Sequence, residues 1–444
     1  MEEYYCVDLK FKNEEISPKT LHTHLFVSDK EIYFKIIDNE EGSNVDRDFM
    51  VLTKSLGFFE ETFEIIKTNV GLIFDDSQIC KVTSMAYDSK NNYFTVYVSN
   101  MGIVIPNIHK EFVNQGSAEL DDNGLKVVNH FYSFFTNFKD KNNFSISRMN
   151  GMDSYYESKT LTFRPELEFF ANDKKGSKEF TIKKIPTINF NLTDSKFKLL
   201  KNEIEVVCKF LSFCYGIRIN LKKIAFRTND DIIIYRNISQ DRNIYISNFS
   251  TVFSYLIKNY SIDKILKNDW NSKYLANQEK IDKAIDNYLH SREVDSTASF
   301  LLLFNIIEIF NIAQQIEKFQ FNDSKDENLL KAYELLSSSL ENKKDLKDLK
   351  SKWNGLINKI SIKPLKSSFE ETLKANKIDS DFFGYSFTKL KKTRDKLTHG
   401  SVKSITEEEI KSQIYCLRKI SLCLILSNLG FKEDLKTPYN NVYI

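Results

Sequence analysis

The chain is 444 residues long, 41% hydrophobic and 28% charged, with a formal net charge of +2. Length and apolar content provide for two or three domains with substantial cores and exclude a disordered chain. The near-neutral balance excludes a basic nucleic-acid coat, so any nucleic-acid contact has to come from a local cluster.

The opening Met1-Glu2-Glu3-Tyr4-Tyr5 is acidic and leads into no apolar run, which argues against a signal peptide. From there the first half reads as strands. Runs at 31–38, 93–100, 160–169, 180–192 and 232–238 mix β-branched and aromatic residues with polar ones. The turn-like segment 88–92 separates two such runs as a hairpin loop would. Within this region, 197–216 has helical apolar spacing and stops at Gly216.

From about residue 252 the periodicity becomes helical, over 291–319, 328–343 and 346–360. In the last of these Leu346, Leu349, Trp353, Leu356 and Ile360 keep helical spacing, and Pro364 lies just beyond. A capping box, Thr406-x-x-Glu409, opens the final helix, whose face of Ile410, Ile414, Leu417 and Leu424 ends at Gly430. The expected fold class is α+β, a β-rich N-terminal domain over 1–255 followed by a helical region over 256–444. The most apolar stretch, 300–310, is too short to span a bilayer and is interrupted by Asn305 and Glu308. No membrane association and a cytoplasmic location are therefore expected.

Several chemistries leave no trace. There is no phosphate-binding glycine loop, no G-x-S-x-G and no H-E-x-x-H. Six cysteines, Cys6, Cys80, Cys208, Cys214, Cys416 and Cys423, form no C-x-x-C pair, and their apolar neighbours suit reduced core thiols. His22 and His24 would share one face of a strand, but no third ligand accompanies them. Acid-x-Lys triplets such as Asp88-Ser-Lys90 recur throughout and carry no signal. The expectation is no metal and no cofactor.

Arginine and histidine are used sparingly, yet both occur in KKTRDKLTHG, residues 391–400. On a helix Phe383, Phe387, Leu390 and Leu397 form a buried stripe that also contains Arg394, while Lys389, Lys391, Lys392 and Lys396 point elsewhere. A core-facing arginine is costly unless paired. Arg394 therefore either meets an internal carboxylate or lines an anion-binding cleft. Gly400 suits a left-handed helix end and would free His399 to turn towards the same cleft. Upstream, Asn305, Glu308, Asn311 and Gln315 run as a polar stripe through an apolar segment. That stripe is either a solvent face or a cleft wall in which Glu308 pairs with Arg394.

Arg394-Asp395-x-x-x-His399-Gly400 resembles the R-x4-H motif of HEPN-domain ribonucleases. The helices around it, beginning with the Glu-bearing segment 300–310, resemble the ApeA-like branch of HEPN proteins from bacterial anti-phage defence. The β-rich first half, closed by 205–226, is similar to the N-terminal domain of that branch, whereas Asp395 stands where Asn is more usual. The resemblance implies an all-α HEPN bundle at about 290–430, preceded by a sensing or substrate-selection domain. It implies a metal-independent endoribonuclease that acts by abortive infection, cleaving tRNA or other host RNA through 2′-OH attack to leave a 2′,3′-cyclic phosphate. In that scheme His399 is the general acid/base, Arg394 clamps the transition state, and Asp395 orients or tunes one of them. Lys391, Lys392 and Lys396 would hold the RNA backbone, with Glu308 and Asn305 supporting the cleft. The implied partners are RNA, a second copy that completes a composite site, and a phage-derived trigger. The alternative is a catalytically inactive HEPN dimer that regulates by binding RNA, a ligand or a partner protein.

Overall fold

The computed structural model describes residues 3–11, 20–28, 31–37, 63–67, 71–73, 82–88, 93–98, 100–107, 114–140, 143–150, 156–157, 161–173, 180–192, 197–237, 265–311, 325–361, 365–378, 386–399, 405–432 and 435. The chain divides into two compact units, Met1–Ser250 with Ile262–Lys267, and Thr251–Ser261 with Asn268–Ile444.

The first unit is built on antiparallel sheets. Strands β1 (Glu3–Phe11), β2 (Thr20–Val27), β3 (Ile32–Ile37), β4 (Phe63–Lys67), β6 (Val82–Asp88) and β7 (Tyr93–Val98) make a six-stranded sheet in the order β4-β1-β2-β3-β7-β6. Between them in sequence lies β5 (Gly71–Ile73), which joins the other sheet. Phe26, Tyr33 and Tyr97 sit opposite one another across three strands, with ring centroids 4.7 and 5.4 Å apart. Such cross-strand aromatic contact fixes register because a one-residue slip would turn every ring to the other face. β6 and β7 form the hairpin expected around 88–92, with Asp88 opposite Tyr93. The loop residues 89–92 lie outside the described residues.

An eight-stranded sheet takes β5 together with β8 (Asn100–Pro106), β9 (Gln115–Leu120), β12 (Tyr156–Glu157), β13 (Leu161–Asp173), β14 (Phe180–Leu192), β15 (Leu221–Arg227) and β16 (Asp231–Asn237). Its order is β12-β13-β14-β9-β15-β16-β8-β5. A separate two-stranded ribbon pairs β10 (Tyr132–Asp140) with β11 (Asn143–Asn150). One face of the large sheet is apolar and buried, with Phe163, Phe190, Ala118, Phe226 and Tyr235 among its residues. Helix α1 (Asp122–Phe131) packs beside β13, β14 and β9, and α2 (Phe197–Tyr215) packs on β15. Alternation of buried and part-exposed residues along β13 is what a sheet covered on one face requires.

Helix α2 ends where the sequence signals it. Gly216 has φ 65°, the Gly216 N–H donates to the Phe213 carbonyl, and the Ile217 N–H donates to the Ser212 carbonyl. This pair of reversed bonds needs a left-handed residue, which glycine supplies without a Cβ clash.

The second unit contains α3 (Trp270–Ala276), α4 (Gln278–His290), α5 (Ser296–Phe310), α6 (Lys325–Ser338), α7 (Lys343–Ser361), α8 (Leu365–Ala375), α9 (Phe387–Thr398) and α10 (Glu407–Leu426), the last running into a π-turn over Ser427–Phe431. α5 is apolar on nearly all sides because α4, α9 and α10 all pack against it. Asp295 caps α5 by accepting from the Thr297 and Ala298 N–H groups, so the helix starts five residues later than the spacing from 291 predicts. It is described to Phe310 with Asn311 as C-cap, and the predicted continuation to 319 lies outside the described residues.

At α10 the Thr406 hydroxyl accepts from the Glu409 N–H, which is half of the capping box. The Glu409 carboxylate meets Lys389 at 3.3 Å and Gln413 instead, which ties the first turn of α10 to α9. Among the described residues one helical stretch, Glu407–Phe431, is long and apolar enough to cross a membrane, and 72% of that stretch's most apolar part is buried inside the fold. Cys208, Cys214, Cys416 and Cys423 are buried free thiols, each pushed up in pKa by burial. Cys80 lies outside the described residues.

Candidate functional site

Helix α9 carries the segment that stands out in the sequence. Ser386 caps it, its hydroxyl accepting from the Lys389 N–H, so the helix begins at Phe387. Phe383 and Gly400, on which the predicted stripe and helix end drew, lie outside the described residues. Phe387 stacks between Phe304 of α5 and Phe369 of α8, at centroid distances of 6.0 and 4.5 Å. Leu390, Thr393 and Leu397 complete the buried face.

Arg394 does not point into the core as its place on the stripe predicts. Its side chain keeps 35% of its exposure, while Thr393 is buried. The reason is drift of the buried face along the helix. At about 100° per residue, Thr393 and Leu397 centre the C-terminal half of the stripe roughly 80° away from Arg394. Arg394 thus lies on the flank of α9, where the guanidinium reaches α5 without being enclosed.

Three groups fix that guanidinium. Nη2 donates to the Glu308 carboxylate of α5 at 3.0 Å, and Nη1 donates to Asp395 at 3.2 Å. The guanidinium carbon lies 5.9 Å from the centroid of the Phe304 ring, within cation–π range. Phe304 and Glu308 are four residues apart, so one face of α5 supplies both the ring and the carboxylate. The sequence reading missed Phe304, although that i, i+4 spacing is visible in the sequence. Asp395 also accepts from Lys391 Nζ at 2.9 Å. Lys391 first, then Arg394, hold its carboxyl below the ordinary aspartate value.

His399 is the C-cap of α9. Its backbone N–H donates to the Asp395 carbonyl at 3.0 Å, and its side chain is exposed. Lys392 is exposed and Lys396 part-exposed, and among the described residues neither has a carboxylate partner. The structure therefore gathers Arg394, Asp395, Lys391 and Glu308 at one place, with His399 exposed at the adjoining helix end.

The polar stripe of the sequence divides. Asn305 is exposed one turn before Glu308. Asn311 is buried at the end of α5, where its side chain donates to Ser368 and accepts from the Thr372 hydroxyl, both on α8. It is a structural joint between α5 and α8, since leaving the helix at its C-cap turns it inward. Gln315 lies outside the described residues. Among the described residues no group of three or more His, Cys, Asp or Glu side chains is placed to hold a metal.

The family model described as Apea-like HEPN matches residues 301–435, from α5 to the end of the π-turn and just beyond. No curated protein and no solved structure matches the chain.

Proposed function

We propose that the Apea-like HEPN domain carried by residues 301–435 is a metal-independent endoribonuclease that acts in anti-phage defence. The family match supports a nuclease of defence type. The observation that carries the finer reading is Arg394, pinned by Glu308, Asp395 and Phe304 yet one-third exposed, on the helix that ends in exposed His399.

Cleavage of RNA without a metal requires a base for the ribose 2′-OH, a proton for the leaving 5′-oxygen, and a cation for the pentavalent phosphate. An exposed imidazole can serve as base and then as acid. His399 fills that role. A guanidinium held in one orientation offers its remaining donors to phosphate oxygens at no cost of reorganisation when charge builds. Arg394 fills that one. Asp395 and Glu308 orient the guanidinium, while Lys391, Lys392 and Lys396 leave the rim with more cations than anions to attract the RNA backbone. The products are a 2′,3′-cyclic phosphate and a 5′-OH.

The substrate proposed is tRNA or other host RNA, and the biological outcome is abortive infection in the cytoplasm on a phage-derived signal. Two copies of the chain pool their motifs in one cleft. A second reading draws on the same contacts, because two carboxylates on Arg394 are also what a purely structural ion pair would show. An inactive HEPN dimer that binds RNA, a ligand or a protein would then be the function.

Incubating total RNA, tRNA included, with the full-length protein in excess EDTA separates the two. Cleavage with cyclic phosphate ends, lost in a folded His399→Ala variant, is the expected result. A need for Mg²⁺ or Mn²⁺ would sink the mechanism, and RNA left intact by a folded dimer would favour the inactive scaffold.

A further inference from the structure

We propose that the open face of the eight-stranded sheet binds a small phosphorylated molecule with a hydroxyl-bearing body, the chemistry shared by sugar phosphates and nucleotides. The inference goes beyond the nuclease reading and involves none of its residues. It starts from strand register. Cross-strand partners share a face, so the pairing of β13, β14, β9 and β15 writes out that surface row by row. One row reads Thr162, Asn191, Gln115, Arg227, and the next reads Arg164, Asn189, Ser117, Ala225. None of these eight side chains is buried, whereas Phe163, Phe190, Ala118 and Phe226 on the other face are.

These rows line a concave depression of about 470 Å³. That volume lies in the size range of small-molecule sites. Its lining includes two arginines and no acidic residue. Glu157, exposed, stands beside Thr162 at the outer edge of the first row, and two further carboxylates one row on are engaged. Glu166 takes Arg164 Nη2 at 2.7 Å, and Glu119 takes Lys223 Nζ at 2.9 Å. An anion entering the depression therefore meets no uncompensated negative charge from these two.

The two arginines differ in exposure. Arg164 has part of its charge offset by Glu166 and its guanidinium held in place. It is suited to donate to neutral oxygens. Arg227, exposed at the end of β15, is suited to the phosphoryl group. Between them Asn189, Asn191 and Ser117 provide both donors and acceptors, the complement of a row of hydroxyls. Phe190 is the one aromatic residue in the lining, and it is buried with 3% exposure. Its ring packs where Gly116 lacks a Cβ, since a Cβ there would lie 2.4 Å from it. No ring is thus presented for base stacking, which single-stranded nucleic acid would use.

The test is calorimetric titration of the full-length protein with ribose 5-phosphate, AMP, inorganic phosphate and unphosphorylated ribose. Saturable binding of ribose 5-phosphate or AMP, at least tenfold tighter than phosphate or ribose alone, is expected. A preference between the first two separates a sugar phosphate from a nucleotide. Arg227→Gln should weaken that binding at least tenfold, and Ser117→Asp, which adds a carboxylate amid the amides, should abolish it. Both changes lie on the open face, so melting temperature should stay within a few degrees. Absence of saturable binding by either phosphorylated probe overturns the proposal. So does binding that both folded variants leave unchanged, or a face that engages a single-stranded RNA oligomer and neither small probe.

Discussion

A guanidinium that already carries two carboxylates has committed two of its nitrogens, and the value of Arg394 depends on what the rest can do. Lysine could reach Glu308 or Asp395 and keep an ion pair, but its point-like ammonium cannot hold both carboxylates and a phosphate in fixed directions. Arg394→Lys is therefore expected to cost nearly as much activity as Arg394→Ala. Loss of one such transition-state contact is worth about 3 kcal/mol, more than a hundredfold in rate. A lysine variant within tenfold of the parent, at equal folding, would remove Arg394 from the catalytic set. Asp395 offers a second test. Lys391 and then Arg394 depress its carboxyl below the ordinary 3.8, so the ion pairs contribute fully above that value and fade as pH falls through the depressed one. With 37% of the side chain exposed, the stability involved is small and screened by solvent. Carbon-detected NMR should place the Asp395 midpoint below 3.8 and show it rising in Lys391→Met. A midpoint unmoved by that substitution would contradict the assigned cause.

Element packing sets where that guanidinium sits. Phe387 is 6% exposed, stacked between Phe304 and Phe369, and it joins α9 to both α5 and α8. Phe387→Ala should cost about 3–5 kcal/mol in stability, measured by denaturant unfolding. Phe387→Leu should fold yet lose activity through a shifted Arg394. In the sheet unit, Gly216→Ala forces a Cβ into φ 65° and should cost about 1 kcal/mol. The sequence made that glycine, the strand runs and the helical second half legible, because periodicity and turn chemistry are local. It left other features hidden for physical reasons. Strands such as Asn100–Pro106 and Gln115–Leu120 are short and made regular by their neighbours, and the ladder of amides and arginines on the large sheet exists only once four strands are in register. Asn311 read as part of a polar face because the sequence did not show the helix ending there. Arg394 read as core-facing because an ideal stripe ignores drift along a short helix.

At the scale of the whole molecule, the question is whether one chain can assemble the site alone. Five residues along a helix turn about 140° beyond one full turn and rise roughly 7.5 Å. Arg394 is directed towards α5 by Glu308 and Phe304, while His399 caps the end of α9 with its side chain exposed. Among the described residues nothing draws His399 back to the guanidinium. In the proposed dimer, pairing the histidine of one copy with the arginine of another would resolve the separation without bending the helix. Specific activity should then fall on dilution, in step with the dimer fraction read by mass photometry on the same samples. Arg394→Ala mixed with His399→Ala probes how a composite site is divided. If both groups at one reaction centre come from different chains, the mixed dimer carries one doubly damaged centre and one intact one, and activity returns to a fraction of the parent. Activity per chain that stays constant through complete dissociation would place arginine and histidine within one protomer.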